Sequence, residues 1–204
     1  MDGAIEAIVL AAGQSTRMGA VDKLLLPIGG VPMVRRCVAV FASLASPVTV
    51  VVNDRKGAAA RSLAGLDVNL AENPVADADQ QGSARIGLAA AELAGRGLLI
   101  GLADQPLLVA ADVVALIAAF DAAGGDAICI PRFAGQRGNP LLWPASLARA
   151  VRDAGASPRG FIDANPARIR WFDAANDHYT RDVDTPEDAA RLLDHRIGHA
   201  DTGR

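Results

Sequence analysis

A chain of 204 residues that is 51% hydrophobic is long enough for a full α/β core and too apolar for a disordered segment. Aromatic residues make up only 4%, against 42 alanines, which excludes a stacking platform for carbohydrate or single-stranded nucleic acid and suggests closely packed alanine-faced helices. With a net charge of −3 there is no general nucleic-acid coat, so any anionic ligand must be held by a few placed basic residues.

Ile5–Ala11 reads as a buried strand that feeds a glycine-bounded loop, residues 12–19. Glu6 interrupts that first apolar run, no basic leader precedes it, and no stretch reaches the roughly 18 apolar residues of a membrane span. The expectation is a cytoplasmic protein without membrane or nucleic-acid partners. Pro32 opens a helix over 33–44, with Val34, Val38 and Phe41 on one face. A β-branched strand over 48–52, a helix over 57–64, a short strand over 68–71 and a helix over 83–94 follow. Gly97–Leu102 is a further strand running into Asp104-Gln105-Pro106. Residues 112–123 form an amphipathic helix closed by Gly124-Gly125, and 127–130 a strand. This alternation predicts a right-handed parallel sheet with helices on both faces.

Beyond residue 131 the rhythm changes: 136–140 reads as a loop, 145–154 and 158–164 as helices, 169–172 as a strand. Thr185 then caps a helix running to about residue 193, with acids in its first turn. One domain over 1–194 and a frayed tail over 195–204 are expected, with His195 and His199 in solvent. Cys37 and Cys129 form no C-x-x-C pair and read as small buried hydrophobes. Trp143 and Trp171 read as packing residues, and His178 reads as remote from any chemistry.

The first loop carries the strongest chemical signal. Gly13 and Gly19 let backbone N–H groups approach an anion, while Arg17 and Lys23 supply charge at two depths. Neither the G-x-G-x-x-G nor the G-x-x-x-x-G-K-[ST] spacing is present. The run Leu10–Gly19, Lys23-Leu24-Leu25-Leu26-Pro27 and Gly30-Val31-Pro32 resembles the signature of the nucleotidyltransferase superfamily, MobA/MocA-like, and most of all its molybdenum cofactor cytidylyltransferases. Asn73-Pro74, Leu102–Leu107, Gly135–Pro140 and Asp182–Asp188 extend the likeness over roughly 5–193.

The resemblance implies a three-layer α/β/α, Rossmann-like, mostly parallel domain of the nucleotide-diphospho-sugar transferase type. It implies transfer of a nucleoside monophosphate from CTP, or alternatively GTP, to a phosphorylated acceptor such as molybdopterin, with pyrophosphate released. A triphosphate's charge exceeds what two basic side chains neutralise, so Mg²⁺ (or Mn²⁺) is expected on Asp104 and Asp184, with Asp182 and Asp188 as competing acids. Arg17 suits the β,γ-phosphates and Lys23 the α-phosphate. Ala11, Ala12, Gly13, Asn53, Asn73, Gly82 and Ser83 are the nucleotide-binding candidates, the two asparagines being equally open to a reading as turn formers. Alanine at 12, where the guanylyl branch has glycine, suggests that a methyl group there crowds a purine. Arg137 and Asn139 are candidates for the acceptor's phosphate.

Gln80–Arg85 and Gly155–Gly160 depart from the family's pattern, and the second departure, which moves an arginine to position 159, bears on which acceptor is used. A sugar- or polyol-phosphate cytidylyltransferase remains open, as does a non-catalytic cofactor-binding factor serving a molybdenum enzyme or its insertion chaperone.

Overall fold

The computed structural model describes residues 3–13, 22–74, 79–185, 187–189 and 192. Arg17, the rest of the first loop, the tail with His195 and His199, and most of the helix expected after Thr185 lie outside the described residues. The strands are β1 (Ile5–Ala11), β2 (Pro27–Ile28), β3 (Val31–Pro32), β4 (Val48–Val52), β5 (Asn69–Glu72), β6 (Gly97–Leu102), β7 (Ile128–Phe133), β8 (Gln136–Arg137), β9 (Leu141–Pro144) and β10 (Ile169–Asp173). The helices are α1 (Met33–Ala42), α2 (Ala58–Ser62), α3 (Gln80–Ala90), α4 (Ala110–Ala122), α5 (Ala145–Asp153) and α6 (Pro158–Ala164).

The main sheet runs β5-β4-β1-β6-β9-β7-β10, with β8 hairpinned onto β7, and β2–β3 form a separate small hairpin. β1 is paired parallel on both sides, to β4 and to β6, and is buried on both faces. Its side chains alternate between two cores. Ile5, Ala7, Val9 and Ala11 join Met33, Phe41, Val113 and Phe120 of α1 and α4, while Ile8 packs with Leu88 of α3 and Trp143. That period-two division places one helical layer on each side of the sheet.

The sheet is mostly parallel, as expected, and its antiparallel members β8 and β9 lie beyond residue 131, where the alternation of strand and helix changes. Leu141-Leu142-Trp143-Pro144 forms a fully buried strand, antiparallel to both β6 and β7. Three apolar residues bounded by Pro140 and Pro144 carry no strand periodicity, and prolines are tolerated there because they stand at the strand's ends. Residues 136–137, expected in a loop, form the hairpin strand β8.

Helix α3 is shifted toward the N-terminus of its expected span. Asp79 caps it by accepting from the Gly82 N–H (2.6 Å), and the chain is already extended at Ala91. The cause is Glu6. Its carboxylate, 2% exposed inside β1, accepts N–H bonds from Leu93 (2.8 Å) and Gly95 (3.0 Å), so the backbone leaves the helix to satisfy a buried acid. Trp143 is a core residue as expected, whereas Trp171 is 48% exposed on the edge strand β10, with the Arg132 guanidinium 5.6 Å from its ring centroid. Cys37 and Cys129 are buried free thiols, and burial pushes the Cys37 thiol up to about 12. No helix among the described residues is long and apolar enough to cross a membrane.

Gly101 of β6 lies against the ring of Phe41, and a β-carbon at that position would overlap the ring. Because Phe41 is fully buried it has nowhere to retreat. Gly101→Ala is therefore expected to lower unfolding stability by about 1–3 kcal/mol in urea denaturation, with the fold retained.

Candidate nucleotide-binding site

The C-terminal ends of β1 and β6 lie side by side, with Leu10 opposite Leu102 and the Ala103 N–H donating to the Leu10 carbonyl at 3.0 Å. The chain leads from β1 outward to β4 and β5, and only then to β6 on the other side. The crevice between β1 and β6 is thus the switch point where open α/β sheets bind ligands. A cavity of about 240 Å³ opens there, lined by Ala11, Gly13, Lys23, Ser83, Asp104, Asp182 and Asp184 among others.

Lys23 sits on a 3-10 turn that Asp22 caps by accepting from the Leu24 N–H (3.0 Å), with Leu24 anchored in the core. Its ammonium donates to Asp104 Oδ2 at 2.8 Å and to Asp184 Oδ1 at 2.7 Å. Burial alone would pull the Lys23 pKa down, but the two carboxylates outweigh it and hold the group above the ordinary lysine value, so it remains charged. Asp184, remote in sequence, is delivered by the backbone: the Val183 N–H donates to the Asp104 carbonyl at 2.9 Å. Gln105 braces the same segment, its amide donating to Asp182 Oδ1 (2.7 Å) and to the Tyr179 carbonyl (2.9 Å). Asp188 accepts from the N–H and hydroxyl of Thr185 (2.9 and 2.8 Å), a capping arrangement that keeps this acid on the helix start.

Two carboxylates directed at one cationic point form the donor set of a hard divalent ion, which commonly takes one or two protein carboxylates and completes its shell with water and phosphate oxygens. Asp104 Oδ1 is buried with no hydrogen-bond partner among the described residues, leaving an acceptor available. No group of three or more His, Cys, Asp or Glu side chains that could by itself hold a metal occurs among the described residues. The pair Asp104 and Asp184 therefore fits a cation shared with a ligand and does not form a closed protein cage.

The other candidates separate. Asn73 is 2% exposed and its amide donates to Ser83 Oγ at 3.0 Å, bringing the end of β5 to the start of α3 at the cavity edge. Gly82 stands beside them. Asn53 is exposed beyond β4 and does not line the cavity. Ala12 is 1% exposed and packs in the α3-side core with Ile8 and Val51, so its methyl does not project into the cavity and the crowding argument at that position loses its geometric basis. Arg137 and Asn139 line an adjoining cavity that shares Leu10, Gln80 and Leu102 with the first. Arg159, Gln80 and Gln81 line it as well, and no sequence signal beyond the two departures from the family pattern pointed to them. His178 bonds to the carboxylate of Asp112 (2.8 Å) and lines neither of these cavities.

Residues 7–168 match the MobA-like NTP transferase domain. The chain belongs to that family. Nucleotidyl transfer is the family's activity, and this fold is of the nucleotidyltransferase type. A "Probable molybdenum cofactor guanylyltransferase" of Natronomonas pharaonis is 29% identical over 209 residues, covering 90% of this chain and 94% of that protein. The bifunctional protein GlmU of Sinorhizobium medicae is 38% identical over 132 residues, 61% of this chain, and the match spans 28% of that longer protein's length. A nucleotidyl transferase from Methanothermobacter thermautotroptrophicus superposes with a TM-score of 0.76 at 25% identity, covering 96% of this chain and 98% of the other.

Asp182 reports on how crowded the acids are. Burial, and then the neighbouring Asp104 carboxylate, raise its pKa from 3.8 to about 6, while the Gln105 amide and Lys23 pull the other way. The folded protein thus holds a proton there that the unfolded chain releases between pH ~4 and ~6. Stability from this group is present at acid pH and is lost as pH rises through that window. Urea midpoints of the protein and of Asp182→Asn are expected to diverge on going from pH 4 to 6.5, the variant gaining on the parent; parallel curves would show that Asp182 titrates normally.

Proposed function

We propose that the protein transfers a nucleoside monophosphate, CMP in preference to GMP, from its triphosphate to a phosphorylated acceptor with a divalent ion, magnesium or manganese, as cofactor. The observation that carries this reading is the convergence of Lys23, Asp104 and Asp184 on one point at the β1/β6 crevice. Asp104 and Asp184 would hold the metal, which supplies charge neutralisation for the triphosphate and the departing pyrophosphate.

The steps fall to this chain's own residues. Gly13 leaves room for the phosphates, with no heavy atom of the described residues within 4 Å of where a β-carbon would stand. The Lys23 ammonium stabilises the charge that builds on the α-phosphate, and Arg17 is assigned to the β,γ-phosphates. Ala11, Gly13, Asn73, Gly82 and Ser83 form the nucleotide half of the cleft. Arg137 and Asn139 belong to the acceptor half. An acceptor phosphate oxygen attacks the α-phosphorus in line, the new P–O bond forms as the Pα–O–Pβ bond breaks, and pyrophosphate leaves with the bonding pair. The acceptor brings its own nucleophile, so the rate gain is positioning and charge stabilisation without a covalent enzyme intermediate.

The preference for CTP and the molybdenum cofactor as acceptor rest on sequence likeness alone. The Natronomonas relative's name favours guanylyl transfer as the second reading. A cytoplasmic location, a single domain over 1–194 and service to a molybdenum enzyme belong to the same proposal. Thermal-shift measurements with the four nucleoside triphosphates and Mg²⁺ are expected to rank CTP first, since a ligand of the native state raises apparent stability by mass action. Asp104→Asn is expected to fold normally and to lose at least ~10²-fold in metal-dependent pyrophosphate release. A loss under tenfold would remove Asp104 from its role, and tight nucleotide binding without pyrophosphate would favour the non-catalytic reading.

A further inference from the structure

The adjoining cavity, to which the acceptor half belongs, holds a second basic residue, Arg159, that the transfer reaction as described leaves without a role. It holds about 240 Å³ and is walled on one side by Leu10, Ile100, Leu102, Leu141 and Ile162. Arg137 and Arg159 also line it, and they come from unrelated elements, the hairpin strand β8 and the first turn of α6. Arg137 makes no side-chain hydrogen bond or ion pair among the described residues. Arg137 is exposed overall, yet partial desolvation of its guanidinium lowers its pKa, with the carboxylate of Asp163 opposing and the charge of Arg159 adding a smaller push. Arg159 has one acidic neighbour, Asp163, at a loose 3.7 Å on the exposed side of α6. The trio is left with a net positive charge, and Gln81 Oε1 is buried nearby without a partner. Two guanidinia converging on a partly apolar cavity, one of them unpaired, form a receptor for an anion.

The geometry also says which anion. The attacking phosphate has to stand where Lys23, Asp104 and Asp184 meet, and those three line the first cavity and not this one. We infer that the acceptor carries a second anionic group, a carboxylate or another phosphate, bound between Arg137 and Arg159, with an apolar stretch of the acceptor crossing the shared wall at Leu10 and Leu102. This inference rests on the transferase reading and narrows its substrate class to acceptors charged at both ends. Arg159 is thereby a specificity-determining residue. Gly138, which packs against the Tyr179 carbonyl while its own N–H donates to Pro131 (2.8 Å), positions Arg137.

The test is direct binding by calorimetry, with and without CTP and Mg²⁺. The probes are straight-chain phosphate monoesters of two to six carbons ending in methyl, in carboxylate or in a second phosphate. One of the doubly charged series is expected to bind at least tenfold tighter than its methyl-ended counterpart, the spacing and end group identifying the acceptor's form. In Arg137→Gln, Arg159→Gln and the double variant that preference is expected to shrink toward twofold, while far-ultraviolet circular dichroism shows the fold intact. Equal binding of all three series by the parent protein, or a preference that survives in the double variant, overturns the inference. Absence of CTP binding in the same parent titrations counts against the cytidylyl preference, and absence of both CTP and GTP binding overturns the transferase reading, while the anion preference without nucleotide is still read out independently.

Discussion

The ammonium of Lys23 held between Asp104 and Asp184 is the contact on which the functional architecture turns. Each of its three members comes from a different part of the chain: a short turn after the first loop, the end of β6, and the segment ahead of the last helix. Two carboxylates brought this close repel each other, and a buried lysine by itself would tend to lose its proton. Together they satisfy one another. The second oxygen of Asp104, without a partner among the described residues, leaves the cluster an acceptor for a further cation. The fold's contribution is to bring these groups together at the one crevice where the sheet's connectivity reverses.

Backbone hydrogen bonds, more than side-chain packing, hold that arrangement in register. Val183 to Asp104 and Asn139 to Tyr179 tie the post-β10 segment to both halves of the cleft, and Gly138 to Pro131 holds the β8–β9 connection on β7. Gln105 repeats the pattern with its side chain, reaching Tyr179 and Asp182 at once. Such contacts fix position to within a hydrogen bond's tolerance, which a phosphoryl acceptor and its electrophile require.

Much of this was legible in the order of residues. An apolar run announces β1, and an aspartate just past the apolar 97–102 run announces Asp104 at the end of β6. Other features depended on three-dimensional context that periodicity does not carry. The strand β9 is three apolar residues between prolines, indistinguishable from a loop until β6 and β7 are seen to flank it. The early end of α3 is set by Glu6, distant in sequence, because a buried carboxylate takes its donors wherever backbone N–H groups can reach it. The buried Ala12 methyl and the exposed Asn53 share one cause: both follow strands, and which way a residue faces after a strand ends is decided by the turn, not by the strand's alternation. Arg159 gave little sign in sequence because its cavity exists only where α6 meets β8 and β9.

The backbone bond from Val183 to Asp104 sets an order on assembly. During synthesis β1, Lys23 and Asp104 leave the ribosome well before Asp184, which follows every described strand of the sheet. A nascent chain can assemble its inner strands while still lacking one half of the carboxylate pair. The pair is completed only once those strands have been made, and a product that stops short of residue 184 is built without it.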